Sequence, residues 1–158
     1  PGFQDFFDKL MLAFKHWLKP TEYKLNISEI DEGIRDFGKL KVQVGKVKHI
    51  AMSRGYRFTN DQGKSVAVSG DTDYCEGMIE LGRDVDLMIL ECAWPDDEKT
   101  DGHLGPTLAG KLAMEANCKK LCLTHFYPPC DLENIRNTVQ KNYKGELLLA
   151  RDLMQFDL

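Results

Sequence analysis

A short apolar run that stops at a glycine and is followed by an aspartate constrains this chain more than any other stretch. Residues 65–72 read Ser-Val-Ala-Val-Ser-Gly-Asp-Thr. The short length, the β-branched residues and the polar flanks predict a buried strand over residues 66–68. Gly70 permits a tight turn, so Asp71 stands at the carboxyl end of a strand, where open α/β sheets bind ligands. We interpret Asp71 as a metal ligand, although turn and capping aspartates are commoner.

Length, charge and cysteine content exclude several classes of protein. A chain of 158 residues is one domain or part of one. The net charge of -4, without a long basic run, argues against a nucleic-acid face, and no stretch approaches the roughly 20 apolar residues that span a bilayer. The five cysteines are odd in number and form no Cys-x-x-Cys pair. They favour a reduced cytoplasmic protein with buried thiols over a zinc ribbon.

The apolar pattern predicts one long helix followed by strands and then an α/β layer. Residues 3–18 carry apolar side chains at helical spacing, predicted to pack in a core, with His16 on the polar side as a surface histidine. We predict strands over residues 23–30, 40–49, 54–58, 64–69, 85–90, 120–124, 147–149 and 154–158, with a turn at 31–33. Helices are predicted over residues 76–82, 106–117 and 131–143. Because strands and helices alternate in the second half, the fold class is α/β with a mixed sheet, and strand 85–90 is central and covered on both faces.

Three polar residues follow apolar strands in the way that Asp71 does. His49 and His125 each end a predicted strand, and His103 lies in the loop before the helix that begins at Pro106. Neutral imidazole and carboxylate are ligands that zinc, manganese and iron accept. Ligands distant in sequence converge when parallel strands end at one edge of a sheet. A lone histidine in such a place is more often structural, but the four positions together favour a metal site.

The order of short motifs resembles the metallo-β-lactamase-fold hydrolases, and within them the ribonuclease Z-like metal-dependent branch. The resemblance covers roughly residues 40–130, and the motifs occur in the same order as in that family. They are His49 followed after five residues by Gly55-Tyr56-Arg57-Phe58, Ser69-Gly70-Asp71-Thr72, Glu91-Cys92, Gly102-His103-Leu104, and Leu123-Thr124-His125-Phe126-Tyr127-Pro128.

The resemblance implies an αββα sandwich with a dinuclear metal site at one edge of the sheets. It implies that His49 binds the first metal, Asp71 bridges the two metals and His125 binds the second. His103 is similar to the histidine that protonates the leaving group in the ribonuclease Z branch. Glu91 could orient a ligating histidine, as metal sites commonly require. The implied reaction is hydrolysis of a phosphodiester or related ester by a water that two divalent metals, zinc or manganese or iron, make acidic.

One family motif has no counterpart in this sequence. The pattern His-x-His-x-Asp-His is absent, since the chain has only four histidines and no two are close enough to supply it. The sequence therefore resembles the carboxyl-terminal half of such a protein. We expect weak or no metal binding and no useful hydrolysis by this chain alone, because a catalytic zinc needs about three protein ligands and a water. We also expect exposed apolar surface, and pairing with the amino-terminal half or with a second copy.

Two alternatives remain open at this level. Asp71-Thr72-Asp73 resembles the Asp-x-Asp of haloacid-dehalogenase-like phosphatases, with Asp71 as nucleophile and magnesium as the metal, although Gly70 and Cys75 depart from that pattern. The chain could instead be a degenerate, non-catalytic interaction module. Dependence on zinc or manganese would indicate the metallo-β-lactamase-like hydrolase, and dependence on magnesium the dehalogenase-like phosphatase. We expect a small ester or phosphodiester as substrate, because the acidic balance makes transfer-RNA precursors the less favoured of the substrates that related folds handle.

Overall fold

The computed structural model describes residues 2–157, apart from the side chains of Lys15 and His16, so the prediction for His16 lies outside the described residues. The chain forms two compact units, Pro1–Asp31 and Glu32–Leu158. Across residues 2–157, every helix is too short or too polar to cross a lipid bilayer.

The first unit is built on helix α1 (Phe3–Leu18), as the apolar spacing predicts. The prediction that its apolar stripe packs in a core is wrong for several described side chains: Phe3, Phe6 and Trp17 are 54%, 56% and 79% exposed. A unit this short has too little chain to enclose an aromatic stripe. The strand predicted over residues 23–30 is also wrong, because this segment makes no ladder; Glu29 instead accepts a hydrogen bond from the N–H of Gln4 at the start of α1.

The second unit is a mixed sheet in which the described strands lie side by side in chain order. The first four strands pair antiparallel, and β4 to β7 pair parallel. This arrangement confirms the predicted α/β fold class with a mixed sheet. The strands are β1 (Gly33–Asp36), β2 (Leu40–Lys46), β3 (Arg54–Asn60), β4 (Ser65–Val68), β5 (Leu87–Glu91), β6 (Lys120–Thr124) and β7 (Glu146–Leu149).

Three predictions of secondary structure are wrong in the second unit. The turn predicted at 31–33 gives way to strand β1, which starts at Gly33 and pairs with β2. Strand β2 ends at Lys46 rather than at residue 49, and Lys48 makes only an isolated bridge to Asp73. Residues 154–157 form no strand, and Leu158 lies outside the described part. Met154 and Phe156 line a cavity with residues of the sheet face, so this segment crosses that face instead of extending the ladder.

Three helices pack on one face of the sheet. They are α2 (Glu76–Gly82), α3 (Pro106–Ala116) and α4 (Leu132–Asn142), and a single 3-10 turn covers Asp96–Glu98. Met78 and Leu81 of α2 belong to the same core as the buried side chains of α3 and α4. The core also holds Ala67, Met88, Leu90, Leu121, Leu123, Leu147, Ala109, Leu112, Ala113, Ala116, Ile135 and Val139.

The cysteines are free thiols and mostly buried, as predicted for a reduced protein with buried thiols. Cys92, Cys118 and Cys122 are buried, and Cys75 and Cys130 are half-buried. Burial raises the pKa of the Cys118 thiol to about 11, which makes it a poor nucleophile at neutral pH. The Cys118 thiol therefore serves packing.

Candidate metal centre

The parallel strands deliver the predicted site residues to one edge of the sheet. Asp71 follows β4, Glu91 ends β5 and His125 follows β6, while Glu91 and Thr124 pair directly across the ladder. His49 follows β2, and His103 lies just before α3. The structure thus brings all five predicted residues together, as expected where parallel strands end at one edge.

Asp71 follows a turn that is held by the side chain of Ser69 and by the backbone conformation of Gly70. The hydroxyl of Ser69 donates to the carbonyl of Gly70 at 2.6 Å and accepts the N–H of Glu91 at 3.1 Å. Gly70 has a φ of +59°, a conformation that glycine adopts at little cost. Ser69 is buried and Asp71 is exposed, so the strand end is anchored while the carboxylate projects from it.

His49 and His103 are each held through Nδ1. The Nδ1 of His49 lies 3.0 Å from the carbonyl oxygen of Gly102, which can only accept a hydrogen bond. The Nδ1 of His103 lies 2.9 Å from Oε1 of Glu91. Both contacts place a proton on Nδ1, and a neutral ring held in this way presents its Nε2 lone pair, the arrangement common in metal-binding histidines.

Glu91 is a buried carboxylate whose two oxygens are fully used. It is 2% exposed. Oε1 accepts the N–H of Thr72 at 2.7 Å besides the ring of His103, and Oε2 accepts the N–H groups of Leu104 at 3.1 Å and Ala93 at 3.2 Å. Since three of these donors are backbone groups of different segments, Glu91 fixes the loop of His103 to the strand ends.

His125 combines a strained backbone with an unsatisfied ring nitrogen. Its φ is +64°, which is uncommon for a residue other than glycine. Its Nε2 is buried and has no hydrogen-bond partner among the described residues. That atom lies 3.6 Å from Oδ1 of Asp71. A buried imidazole nitrogen of this kind is costly unless something binds it.

The spacing of the ligand atoms fits a divalent metal. Atoms bound tetrahedrally to zinc at about 2.0–2.2 Å lie about 3.5 Å apart. The separation between His125 and Asp71 matches that spacing. One ligand atom from each of His49, Asp71 and His103 lies within 4.8 Å of the others, so a small closure brings them to the same spacing. The residue types and the orphaned nitrogen of His125 both fit a metal.

Asp73 is a buried site residue that the sequence analysis missed as part of the centre. Its own burial acts to raise the pKa of the carboxyl, but the N–H of Tyr74 and the ammonium of Lys99 outweigh burial and hold that pKa below its usual value. The only signal in the sequence is its place two residues after Asp71. Its partner Lys99 lies 26 residues further along the chain.

The comparison with protein families decides the class of this fold. The sequence profile of the β-lactamase superfamily domain matches residues 10–126. The chain belongs to the β-lactamase superfamily. This membership confirms the resemblance to metallo-β-lactamase-fold proteins, whose members generally bind divalent metals.

Two sequence relatives and one crystal structure are similar to this chain. An uncharacterized protein of Mycobacterium tuberculosis is 36% identical over 110 residues, which are 68% of this chain and 40% of that protein. A ribonuclease Z of Streptomyces coelicolor is 37% identical over 98 residues, 58% of this chain and 33% of that enzyme. The crystal structure of the metallo-β-lactamase fold protein YhfI from Bacillus subtilis is similar with a TM-score of 0.75 and 25% identity, covering 91% of this chain and 60% of that chain. The chain thus spans about two fifths of the length of the first of these relatives.

Proposed function

We propose that this chain forms part of a metal-dependent hydrolase that cleaves phosphodiester or related ester bonds. The observation that carries the proposal is the convergence of His49, Asp71, His103 and His125 at one edge of the sheet, where the buried Nε2 of His125 has no hydrogen-bond partner among the described residues. Similarity to ribonuclease Z supports phosphodiesters as the substrate class. The histidines gathered round Asp71 favour a metal ligand over the nucleophile of a dehalogenase-like phosphatase.

In the proposed centre, each residue has a distinct task. His49, Asp71 and His125 would hold the divalent metals. When bound, such metals make water acidic enough to supply hydroxide near neutral pH. His103, whose Nδ1 donates to Glu91, would in its doubly protonated form give the proton on Nε2 to the oxygen of the leaving group. Glu91 holds the ring in that orientation and stabilises its protonated form.

The number of ligands argues that this chain does not complete the centre. A catalytic zinc needs about three protein ligands and a water, and a pair of metals needs more than His49, Asp71 and His125 offer. We propose that a segment or chain with the His-x-His-x-Asp-His motif supplies the remaining ligands. It would pack on the helix-free face of the sheet, where Val66, Val68 and Ile89 are only half-buried. Pairing with a second copy is the alternative occupant of this face.

The proposal is tested by measuring metal binding and hydrolysis with and without that complement. Zinc and manganese are titrated into the chain alone and into the chain mixed with a polypeptide carrying the motif, and bis-para-nitrophenyl phosphate reports hydrolysis. We expect tight metal and activity only in the mixture, and their loss in Asp71→Ala but not in Asp61→Asn on the exposed β3–β4 loop. Tight stoichiometric zinc on the chain alone, or hydrolysis that survives Asp71→Ala, would contradict it.

The same metal titration distinguishes which of His103 and His125 is a metal ligand and which is the proton donor. Because one possible ligand atom of His103 lies within 4.8 Å of those of His49 and Asp71, a His49–Asp71–His103 metal site is a second candidate. If His125 is the ligand and His103 the proton donor, His125→Ala lowers metal affinity and His103→Ala lowers turnover with metal affinity retained. The opposite pattern would assign the second arrangement.

A further inference from the structure

Asp73 is bonded to the segments that carry the candidate ligands without belonging to the ligand set. Its side chain is only 6% exposed. Its Oδ1 accepts the N–H of Tyr74 at 2.8 Å, and its Oδ2 accepts the ammonium of Lys99 at 3.1 Å and the N–H of Gly102 at 3.4 Å. The ammonium of Lys48 lies 3.4 Å from the same oxygen.

Two of these partners stand directly before a histidine of the centre. Lys48 precedes His49, and Gly102 precedes His103. The backbone N–H of Asp73 also donates to the carbonyl of Lys48 at 2.6 Å. The carbonyl of Gly102 then accepts from Nδ1 of His49 at 3.0 Å, which closes a path of hydrogen bonds from Asp73 through Gly102 to that ring.

We infer that Asp73 is a positioning residue of the candidate metal centre, which holds the segments of His49 and His103 together through Lys48, Lys99 and Gly102. This inference rests on the proposed function for its purpose, but the contacts that carry it exist without a metal. The ammonium of Lys99 is itself largely buried, with a side chain 19% exposed, so water replaces little of the pairing if the carboxylate is removed.

A carboxylate suits this position because every partner is a donor. An ionised aspartate is an acceptor at both oxygens, whereas asparagine places two N–H donors on one side. In Asp73→Asn the amide group must face either the N–H of Tyr74 on the Oδ1 side or the N–H of Gly102 on the Oδ2 side, while the ammonium of Lys99 lies 3.1 Å from both oxygens. Either orientation therefore leaves at least one buried donor without an acceptor.

A merely structural aspartate offers a matched control. Asp86 is also largely buried, with a side chain 13% exposed. It lies near the ammonium groups of Lys119 at 2.9 Å and Lys64 at 3.8 Å, and accepts the N–H of Ser65 at 2.8 Å. Ser65 begins β4, whereas the centre lies beyond its other end, so Asp86→Asn removes a similar set of partners away from the histidines.

The experiment compares Asp73→Asn with Asp86→Asn in the full metal-free chain. Amide hydrogen exchange is measured at Gly102 and His103, and the ring ¹⁵N shifts of His49 and His103 are recorded by NMR. We expect Asp73→Asn to speed exchange of the Gly102 amide by about tenfold or more, the loss of one charge-assisted hydrogen bond, and to shift the His49 ring signals. Asp86→Asn should leave these site signals unchanged while lowering global stability to a similar degree.

The inference is overturned if Asp73→Asn leaves the Gly102 amide and the His49 ring as in the unsubstituted chain, or if Asp86→Asn changes them equally. If Asp73→Asn does not fold, Lys99→Met tests the same path, because it removes one of the partners of Asp73 and should also speed exchange at Gly102. Zinc affinity, measured by chelator competition with the complement present, is the final readout. Absence of zinc binding in the unsubstituted mixture would refute the proposed function and leave the exchange result as the test of Asp73.

Discussion

Replacing Glu91 by glutamine tests how the buried carboxylate controls His103. The substitution keeps the shape of the side chain and exchanges one acceptor oxygen for an NH₂ group. In the native site Oε1 accepts from the N–H of Thr72 and the ring of His103, and Oε2 accepts from the N–H groups of Ala93 and Leu104. The NH₂ group of the glutamine must therefore face either Thr72 and His103 or Ala93 and Leu104.

The geometry favours one orientation and sets the magnitude. Turned towards Ala93 and Leu104, the NH₂ group would leave two backbone donors without an acceptor. Turned towards Thr72 and His103, it leaves only the N–H of Thr72 unpaired, because the ring can move its proton and accept at Nδ1. A hydrogen bond to a charged acceptor contributes about 1.5–3 kcal/mol. We expect Glu91→Gln to lower the free energy of unfolding by about that amount and to switch His103 to the Nε2–H tautomer.

Urea unfolding and ring ¹⁵N NMR measure the two parts of this prediction. Glu115→Gln is the control: Glu115 accepts the hydroxyl of Tyr74 with a side chain 32% exposed, and it contacts none of the site histidines in the described structure. It should cost less stability and leave the His103 tautomer unchanged. The reasoning fails if Glu91→Gln keeps the proton on Nδ1 of His103, or if its unfolding free energy stays within about 0.5 kcal/mol of the unsubstituted chain.

Two further substitutions test the loop and the ion pairs. Gly102→Ala should lower the free energy of unfolding by about 1–3 kcal/mol and shift the ring signals of His49. Gly102 has a φ of +86°, and an added Cβ would lie 2.8 Å from Nδ1 of His49. Gly63→Ala is the control, because Gly63 has a φ of +79° in open space and should show the cost of the backbone conformation alone. An unmoved His49 ring would contradict this. The ammonium of Lys119 holds the pKa of Asp86 below its usual value of 3.8, so this pairing stabilises the fold above about pH 4 and is lost as pH falls through the lower folded value. The stability difference between the unsubstituted chain and Asp86→Asn in urea should narrow from pH 7 to pH 3, and an equal difference at both would refute it.

The sequence is informative where the structure depends on neighbours in the chain. Helix α2 and strand β6 have the bounds that the apolar pattern predicts. The convergence of Asp71 and His125 follows from a general property of parallel strands, which end at one edge of their sheet. Only the type of element and its last residue are needed for that prediction, and both are local.

Pairing between distant segments is what the local pattern cannot supply. Residues 23–30 alternate as a strand does, yet alternation gives no information on whether another strand lies alongside. Gly33 reads as a turn residue, but β1 forms because β2 folds back on it. Asp73 shows the same limit at the site, since Lys99 and Gly102 lie 26 and 29 residues away and nothing local to either sequence position marks the contact.

The histidines of the candidate centre differ in whether the fold alone holds their rings in place. Glu91 fixes the proton of His103, and the carbonyl of Gly102 fixes that of His49, by hydrogen bonds that belong to the fold. Where these rings are neutral, both offer an Nε2 lone pair, and a metal need not change their tautomers. His125 differs, because its Nε2 is buried and has no hydrogen-bond partner among the described residues, and its backbone has a positive φ. In the proposed function, zinc added together with the complement should shift the ring ¹⁵N signals of its ligands His49 and His125 and leave the ring of His103 nearly as it is. An unchanged ring signal of His125 would contradict its assignment as a ligand.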